Sequence, residues 1–377
     1  MRIAINCRLL IPDKLEGIGW FIYETTRRMV EQHPDDTFIL LFDRKPPVDL
    51  LNQKNVIKVH VPPKARHPIL YRIWFDFMLP RKLKKFEPDV FLSADGFNSY
   101  QLKIPSYLII HDLSYLHYPK YIDSTHLAFY KKHTPAFIKK ASGLGTVSEY
   151  SRQDLVEKFD LNPDHIDIIY NGCKESFKPL SDKQKNEIKK EYKLQKSYFL
   201  YAGSIHPRKN VVNIIRAYNH FRTRGHQDHK LVIVGRKAWM FDLFDQEYKR
   251  SPFKNDIHLM GYADEKVLAD LMGAAEALIY PSLFEGFGVP LLEAMHAEIP
   301  IVTSNKSSLP EVAGKAAILV DPQNPQEIGA AMYKLAKHPE LGKELVQQGR
   351  KKRKEYSWDQ SAYLLYRALK RTALEKS

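Results

Sequence analysis

Short runs of β-branched and aromatic residues alternate along the chain with longer segments whose apolar positions repeat at helical spacing. The strand-like runs are Arg2–Ile5, Thr37–Phe42, Val56–Val61, Val90–Leu92, Ser106–Ile110 and Gly143–Val147, followed by Tyr198–Ala202, Lys230–Val234, Ile257–Met260, Ala277–Tyr280, Pro300–Thr303 and Ala317–Val320. Segments of helical length separate many of them, among them Trp20–Gln32, His126–Ala141 and Val211–Arg222. This alternation predicts parallel sheets covered by helices on both faces. It is interrupted by the turn signal Asn171-Gly172-Cys173-Lys174 and the polar stretch Ser181–Lys196, which predicts two α/β domains of similar size joined by a connector at 171–182. The segment Trp358–Leu374, with Ala362, Leu365, Tyr366 and Leu369 at helical spacing, reads as a long last helix. Open parallel sheets bind ligands outside the carboxyl ends of their strands, so two such sheets facing each other would make a cleft. Site residues are therefore sought just after strands.

Bulk properties narrow the class. A length of 377 residues suits two domains, and 44% hydrophobic with 27% charged residues excludes wholesale disorder. Two cysteines, Cys7 and Cys173, exclude a disulfide framework and fit a reducing compartment. No run approaches the ~18 apolar residues of a spanning helix. Residues Met1–Cys7 enter a strand pattern at once, without the apolar core of a signal segment. The expectation is a cytoplasmic protein, or one held peripherally on the inner membrane surface. A net charge of +14 asks for an anionic partner, and residues 343–377 alone carry ten Lys or Arg against four acids. Nucleic acid, anionic lipid and the phosphates of a sugar nucleotide all meet that demand.

Four motifs follow strand-like runs. The first, Pro281-Ser-Leu-Phe-Glu-Gly-Phe-Gly-Val-Pro-Leu-Leu-Glu-Ala-Met295, has glycines that free the backbone for close approach and a helix start that favours an electron-rich group. Glu285 and Glu293 are carboxylates able to accept hydrogen bonds from sugar hydroxyls. The second, Gly203-Ser-Ile-His-Pro-Arg-Lys-Asn210, places a glycine turn before two adjacent cations, Arg208 and Lys209, a set that suits a departing diphosphate. The third is Asp95-Gly96 with His111-Asp112, where an imidazole can donate to a sugar oxygen or stabilise developing charge. The fourth, Glu16-Gly17-Ile18-Gly19-Trp20, is a weak signal by itself and opens a helix.

Together these motifs resemble glycosyltransferase family 4, in matching order over essentially the whole chain. The resemblance implies the α/β GT-B fold, two Rossmann-like domains facing across a cleft, with residues 1–173 plus the last helix 358–377 on the acceptor side and 174–357 binding the donor. It implies that Glu285, with Gly286, Phe287 and Gly288, approaches the donor sugar, and that Glu293 binds the ribose. Arg208 and Lys209, after Gly203, would hold the pyrophosphate; Ser204 stands where many relatives have an arginine. His111 would contact the donor sugar, Gly17 and Gly19 the donor phosphate, Leu309 and Glu311 the donor flank, and Gly235 the nucleotide base. Catalysis would rest on His111, Glu285, Arg208 and Lys209.

The implied reaction is retaining hexose transfer from a nucleotide-diphosphate sugar, GDP-mannose before UDP-glucose, to a glycan or lipid-linked glycan in surface polysaccharide synthesis. No cofactor or metal is expected beyond the donor, and the chain contains no Asp-x-Asp of the kind that would hold a divalent ion. The segment Pro68–Pro88 mixes aromatic and basic residues in a way that suits an anionic membrane surface, although a buried helix with a solvated basic end is the more common explanation of such a pattern and the one favoured here. Two other readings are a same-fold phosphorylase or epimerase and a basic nucleic-acid-binding protein. No recognised binding motif accompanies the latter, so nucleic acid is not an expected partner.

Overall fold

The computed structural model describes residues 1–11, 15–194, 196–225, 229–237 and 242–374. The chain divides into two compact units, Met1–Asn171 with Ser357–Ser377, and Gly172–Tyr356.

In the first unit seven parallel strands form one sheet. They are β1 (Arg2–Asn6), β2 (Thr37–Phe42), β3 (Val56–His60), β4 (Val90–Ser93), β5 (Ser106–Ile109), β6 (Gly143–Thr146) and β7 (Ile166–Ile168), in the order β3-β2-β1-β4-β5-β6-β7. Ile3 lies opposite Phe38 on one side and Val90 on the other, so β1 is the strand from which the chain first winds outward and then returns. Ile3, Ala4, Ile5 and Phe38–Leu41 are fully buried, because helices cover both sheet faces. The edge strand β3 instead carries Lys58 and His60, polar groups that discourage further strand pairing. β7 is not among the runs read from the sequence: it has three residues, one of them Asp167, which accepts a hydrogen bond from the Tyr107 hydroxyl at 2.8 Å.

The last helix, Trp358–Leu374, belongs to this unit. Its buried face of Trp358, Ala362, Leu365 and Leu369 packs on the helix Gly17–Gln32 and against β4, β5 and β6. Tyr366, read as part of that apolar stripe, turns its hydroxyl to Asp36 at 2.6 Å and stacks on His33.

The second unit holds six parallel strands: β8 (Ser197–Ala202), β9 (His229–Val234), β10 (Ile257–Gly261), β11 (Ala277–Tyr280), β12 (Ile301–Ser304) and β13 (Ala317–Val320). Their order is β10-β9-β8-β11-β12-β13. β8 and β11 are neighbours across the point where the winding reverses. Loops leaving their carboxyl ends therefore diverge to opposite faces and leave a crevice between them. Residues far apart in sequence, such as Lys209 and Glu285, become adjacent there.

Candidate active site

In the second unit the loop after β8 begins at Gly203. Its φ of +149° and that of Gly235 after β9, also +149°, lie in a region that L side chains rarely adopt. A Cβ on Gly235 would stand 1.8 Å from the Gly203 carbonyl oxygen, so the two strand ends approach as closely as backbone allows. Gly203 N–H donates to Val234 O, and Gly235 N–H to Gly261 O. Pro207–Lys209 then makes one 3-10 turn, with His206 Nδ1 accepting from the Arg208 amide. Asn210, at φ +63°, is fixed by its side-chain amide, which donates to Pro281 O at 2.9 Å and Pro322 O at 2.6 Å. This ties the loop after β8 to the loop after β11.

Glu285 sits where the two loops meet. Arg208 Nη1 donates to its Oε2 at 3.1 Å and to Phe284 O at 2.6 Å; Lys209 Nζ donates to its Oε1 at 2.6 Å. Tyr280, the last residue of β11, donates its hydroxyl to the same Oε1 at 2.9 Å while accepting from Lys209 at 2.9 Å. Burial would raise the Glu285 carboxyl, but Lys209 and Arg208 outweigh it and hold the group down at about 2. The cluster thus keeps two cations and one anion, a net positive charge, with both cationic side chains partly exposed. Such a set can neutralise charge on phosphate oxygens while presenting a fixed carboxylate to hydroxyl groups.

The other residues of the motif divide by environment. Gly288, at φ +106°, turns the chain into the helix Val289–Ala297. Leu309, expected beside the donor, is fully buried and fills the space over Gly288, where a Cβ would meet its Cδ2 at 2.6 Å. The Phe287 ring is also buried, edge-on to Tyr356 at 5.4 Å. These two positions can offer a ligand backbone but not side chain, because loop packing consumes both side chains. Ser308 Oγ locks the turn from below by donating to Glu285 O and Phe287 O at 2.9 and 3.0 Å.

Glu293 is buried too, in surroundings of its own: the charges that act on it are Lys174 and Glu265 rather than Arg208 and Lys209. Burial pushes its carboxyl up to about 7, with Glu265 adding to the rise and Lys174 opposing it. Since the folded group holds its proton where the unfolded one has lost it, stability falls as pH rises from about 4.5 through 7. Glu293→Gln removes that slope. Thermal unfolding measured from pH 5 to 8 is expected to show a flatter profile, with the variant ahead of the parent by up to about 3 kcal/mol at pH 8. Parallel profiles for the two proteins would refute the shift.

In the first unit His111 follows β5. Its Nε2 donates to Ala94 O at 2.9 Å, its ring meets Phe21 edge-on at 5.1 Å, and burial lowers its pKa. The ring is neutral near pH 7 with its lone pair on Nδ1, so it offers an acceptor rather than the donor or charge stabiliser read from the sequence. Asp95 is committed as well: Arg8 donates to its Oδ2 from Nε at 3.2 Å and Nη2 at 2.8 Å. Arg8, which sequence reading did not single out, also donates to Ala65 O and lies over the Tyr71 and Phe97 rings, each 4.8 Å away. Its place two residues beyond β1 was the available signal. Gly17 and Gly19, in the motif read as opening a helix, both lie in the first turn of the helix Gly17–Gln32. Gly19 is required by the approach of Leu9 O, which lies 2.9 Å from where a Cβ would stand, whereas Gly17 faces open space. Among the described residues no group of three or more His, Cys, Asp or Glu side chains is placed to hold a metal ion, and no helix is long and apolar enough to cross a membrane.

Both halves of the chain are similar to known proteins. Residues 15–177 match the family Glycosyltransferase Family 4, and residues 182–352 match Glycosyl transferases group 1. O-antigen chain mannosyltransferase B of Escherichia coli is 30% identical over 250 residues, covering 66% of this chain and 66% of the relative. The serotype-specific mannosyltransferase WbdA of Escherichia coli is 25% identical over 281 residues, covering 71% of this chain and 34% of the relative. The chain thus spans about two thirds of one relative's length and about a third of the other's. The crystal structure of Anabaena Alr3699/HepE in complex with UDP-glucose superposes with a TM-score of 0.76 at 15% identity, covering 98% of this chain and 100% of that one. With two parallel-sheet units of GT-B type and both halves matched in order, the chain belongs to glycosyltransferase family 4.

Proposed function

We propose that the protein transfers a hexose from a nucleotide-diphosphate sugar to a glycan or lipid-linked glycan during polysaccharide assembly, with GDP-mannose the preferred donor and UDP-glucose the next. The observation that carries this reading is the convergence of Arg208, Lys209 and Glu285 where β8 and β11 diverge. Two mannosyltransferases among the relatives support the choice of sugar, and the UDP-glucose complex of a protein with the same fold supports a sugar nucleotide as donor.

In this reading Arg208 and Lys209 take the diphosphate and stabilise it as the bond from the anomeric carbon to the phosphate oxygen breaks. The acceptor oxygen bonds to that carbon from the same face, and its proton passes to the departing phosphate, so configuration is retained. Glu285 accepts from sugar hydroxyls, Glu293 from the ribose, and His111 Nδ1 from a hydroxyl of the transferred sugar. Backbone at Gly203, Gly235 and Gly286–Gly288 approaches the nucleotide, and Gly17 the phosphates. The cation pair performs the charge neutralisation, and no metal is required.

Calorimetric titration with GDP-mannose, UDP-glucose and ADP-glucose, each with and without EDTA, tests the reading. GDP-mannose is expected to bind tightest and to be indifferent to EDTA. Absence of binding by every sugar nucleotide would overturn the function; loss of binding in EDTA would overturn the metal-free mechanism alone.

A further inference from the structure

The segment Pro68–Leu83 is one continuous helix with a wider turn in its middle. Its α-helical ends, Pro68–Ile73 and Leu79–Leu83, flank a π turn at Trp74–Met78, where Leu79 N–H reaches back to Trp74 O. One face is core: Tyr71, Trp74, Phe75, Leu79 and Leu83 are buried, and the Trp74 indole N–H donates to Val61 O at 2.7 Å. The single acid of the stretch, Asp76, is buried against Arg72 and accepts from the Tyr100 amide. This face accounts for the aromatic content that the sequence shows.

The opposite face is unpartnered and apolar. Ile69 is 64% exposed, Ile73 37% and Phe77 56%. They recur at every fourth residue, and exposed Arg81 continues the same row. A pure α-helix rotates such a row by about 40° per step, and the wider π turn between Ile73 and Phe77 counters that drift. The outcome is a straight apolar strip. Exposed cations bracket it: Lys64 and Arg66 before the helix, Arg81, Lys84 and Lys85 at its end. Apolar groups in the centre with basic side chains at both ends match the layering of an anionic bilayer surface, acyl region below and phosphate headgroups beside. A protein partner would have to supply acids at both ends of one hydrophobic groove; an anionic lipid surface supplies them everywhere.

We infer that this strip seats the protein on an anionic lipid bilayer, with Ile69, Ile73 and Phe77 entering the interface and Lys64, Arg66, Arg81, Lys84 and Lys85 meeting headgroup phosphates. The inference goes beyond the donor chemistry and is independent of it. It accounts for why the fold leaves three large apolar side chains in water on a helix whose other face is closed.

Flotation with vesicles of phosphatidylglycerol and phosphatidylcholine, against phosphatidylcholine alone, provides the test on the full chain. The parent is expected to float only with the anionic vesicles and to be released by salt. The triple variant Ile69→Ser, Ile73→Ser, Phe77→Ser and, separately, Arg81→Glu with Lys85→Glu should each weaken binding by about tenfold or more. Sugar-nucleotide affinity, unchanged in both, shows that the variants are folded and keeps this outcome distinct from the donor reading. Failure of the parent to bind anionic vesicles, equal binding by the triple variant, or a triple variant that loses only self-association would each overturn the proposal.

Discussion

Lys209→Ala lowers the rate of sugar transfer by about 10²–10³-fold, the loss expected when one preorganised donor to a developing oxyanion is removed. The size follows from position: Lys209 Nζ is held on Glu285 at 2.6 Å and Tyr280 at 2.9 Å, so it does not reorganise when the phosphate departs. Glu285→Gln separates two roles of the carboxylate. The amide leaves Arg208 and Lys209 without their counter-charge, which strengthens binding of the free nucleoside diphosphate. Transfer still falls, because the carboxylate that accepts from the sugar is gone. The expected signature is a lower Kd for the diphosphate together with a kcat reduced by about 10²-fold. Calorimetry and initial rates on the same preparation measure both. Full activity in the two variants would remove this cluster from the chemistry.

Gly235→Ala is expected to destabilise the second unit by more than about 4 kcal/mol, among the largest effects of a single methyl group. The Cβ would stand 1.8 Å from the Gly203 carbonyl, a backbone atom that cannot rotate aside, and φ at +149° is itself strained for alanine. Urea unfolding should show an earlier transition, and any folded fraction should bind phosphate poorly, since Gly203 begins the loop that carries Arg208. Gly17→Ala provides the contrast. Its Cβ meets nothing within 4 Å, so a change within about 0.5 kcal/mol is expected. Equal effects at the two glycines would contradict the close approach of the strand ends.

The architecture was readable because buried parallel strands leave dense apolar runs that few other structures require. Tyr198–Ala202 and Ala277–Tyr280 are such runs and are strands β8 and β11. β7 escaped because an edge strand of three residues with a central aspartate carries no such density. The π turn escaped because helical periodicity assumes a constant turn. At the site, strand-end logic and motif order placed Arg208, Lys209 and Glu285 in suitable loops. Which way each loop side chain points is a matter of tertiary packing, so the burial of Leu309 and Phe287 could not be read from their positions in a motif. The same holds for Glu293: its spacing from Glu285 is plain in the sequence, but its separate, desolvated surroundings with Lys174 and Glu265 are not. Tyr280 looked like one more strand residue, and its hydroxyl became relevant only once Lys209 and Glu285 were seen around it.

The two units differ in how they can be made. All of Gly172–Tyr356 leaves the ribosome as one uninterrupted stretch, whereas the first unit waits for Trp358–Leu374, which is translated after it. Until that helix emerges, the apolar side of Gly17–Gln32, including Phe21, lacks the Trp358 ring that covers it at 6.1 Å. The unit that begins earlier in the sequence is therefore completed after the one that follows it, a reversal of ordinary vectorial order, and a chain truncated at Tyr356 and released would carry one complete unit and one open one.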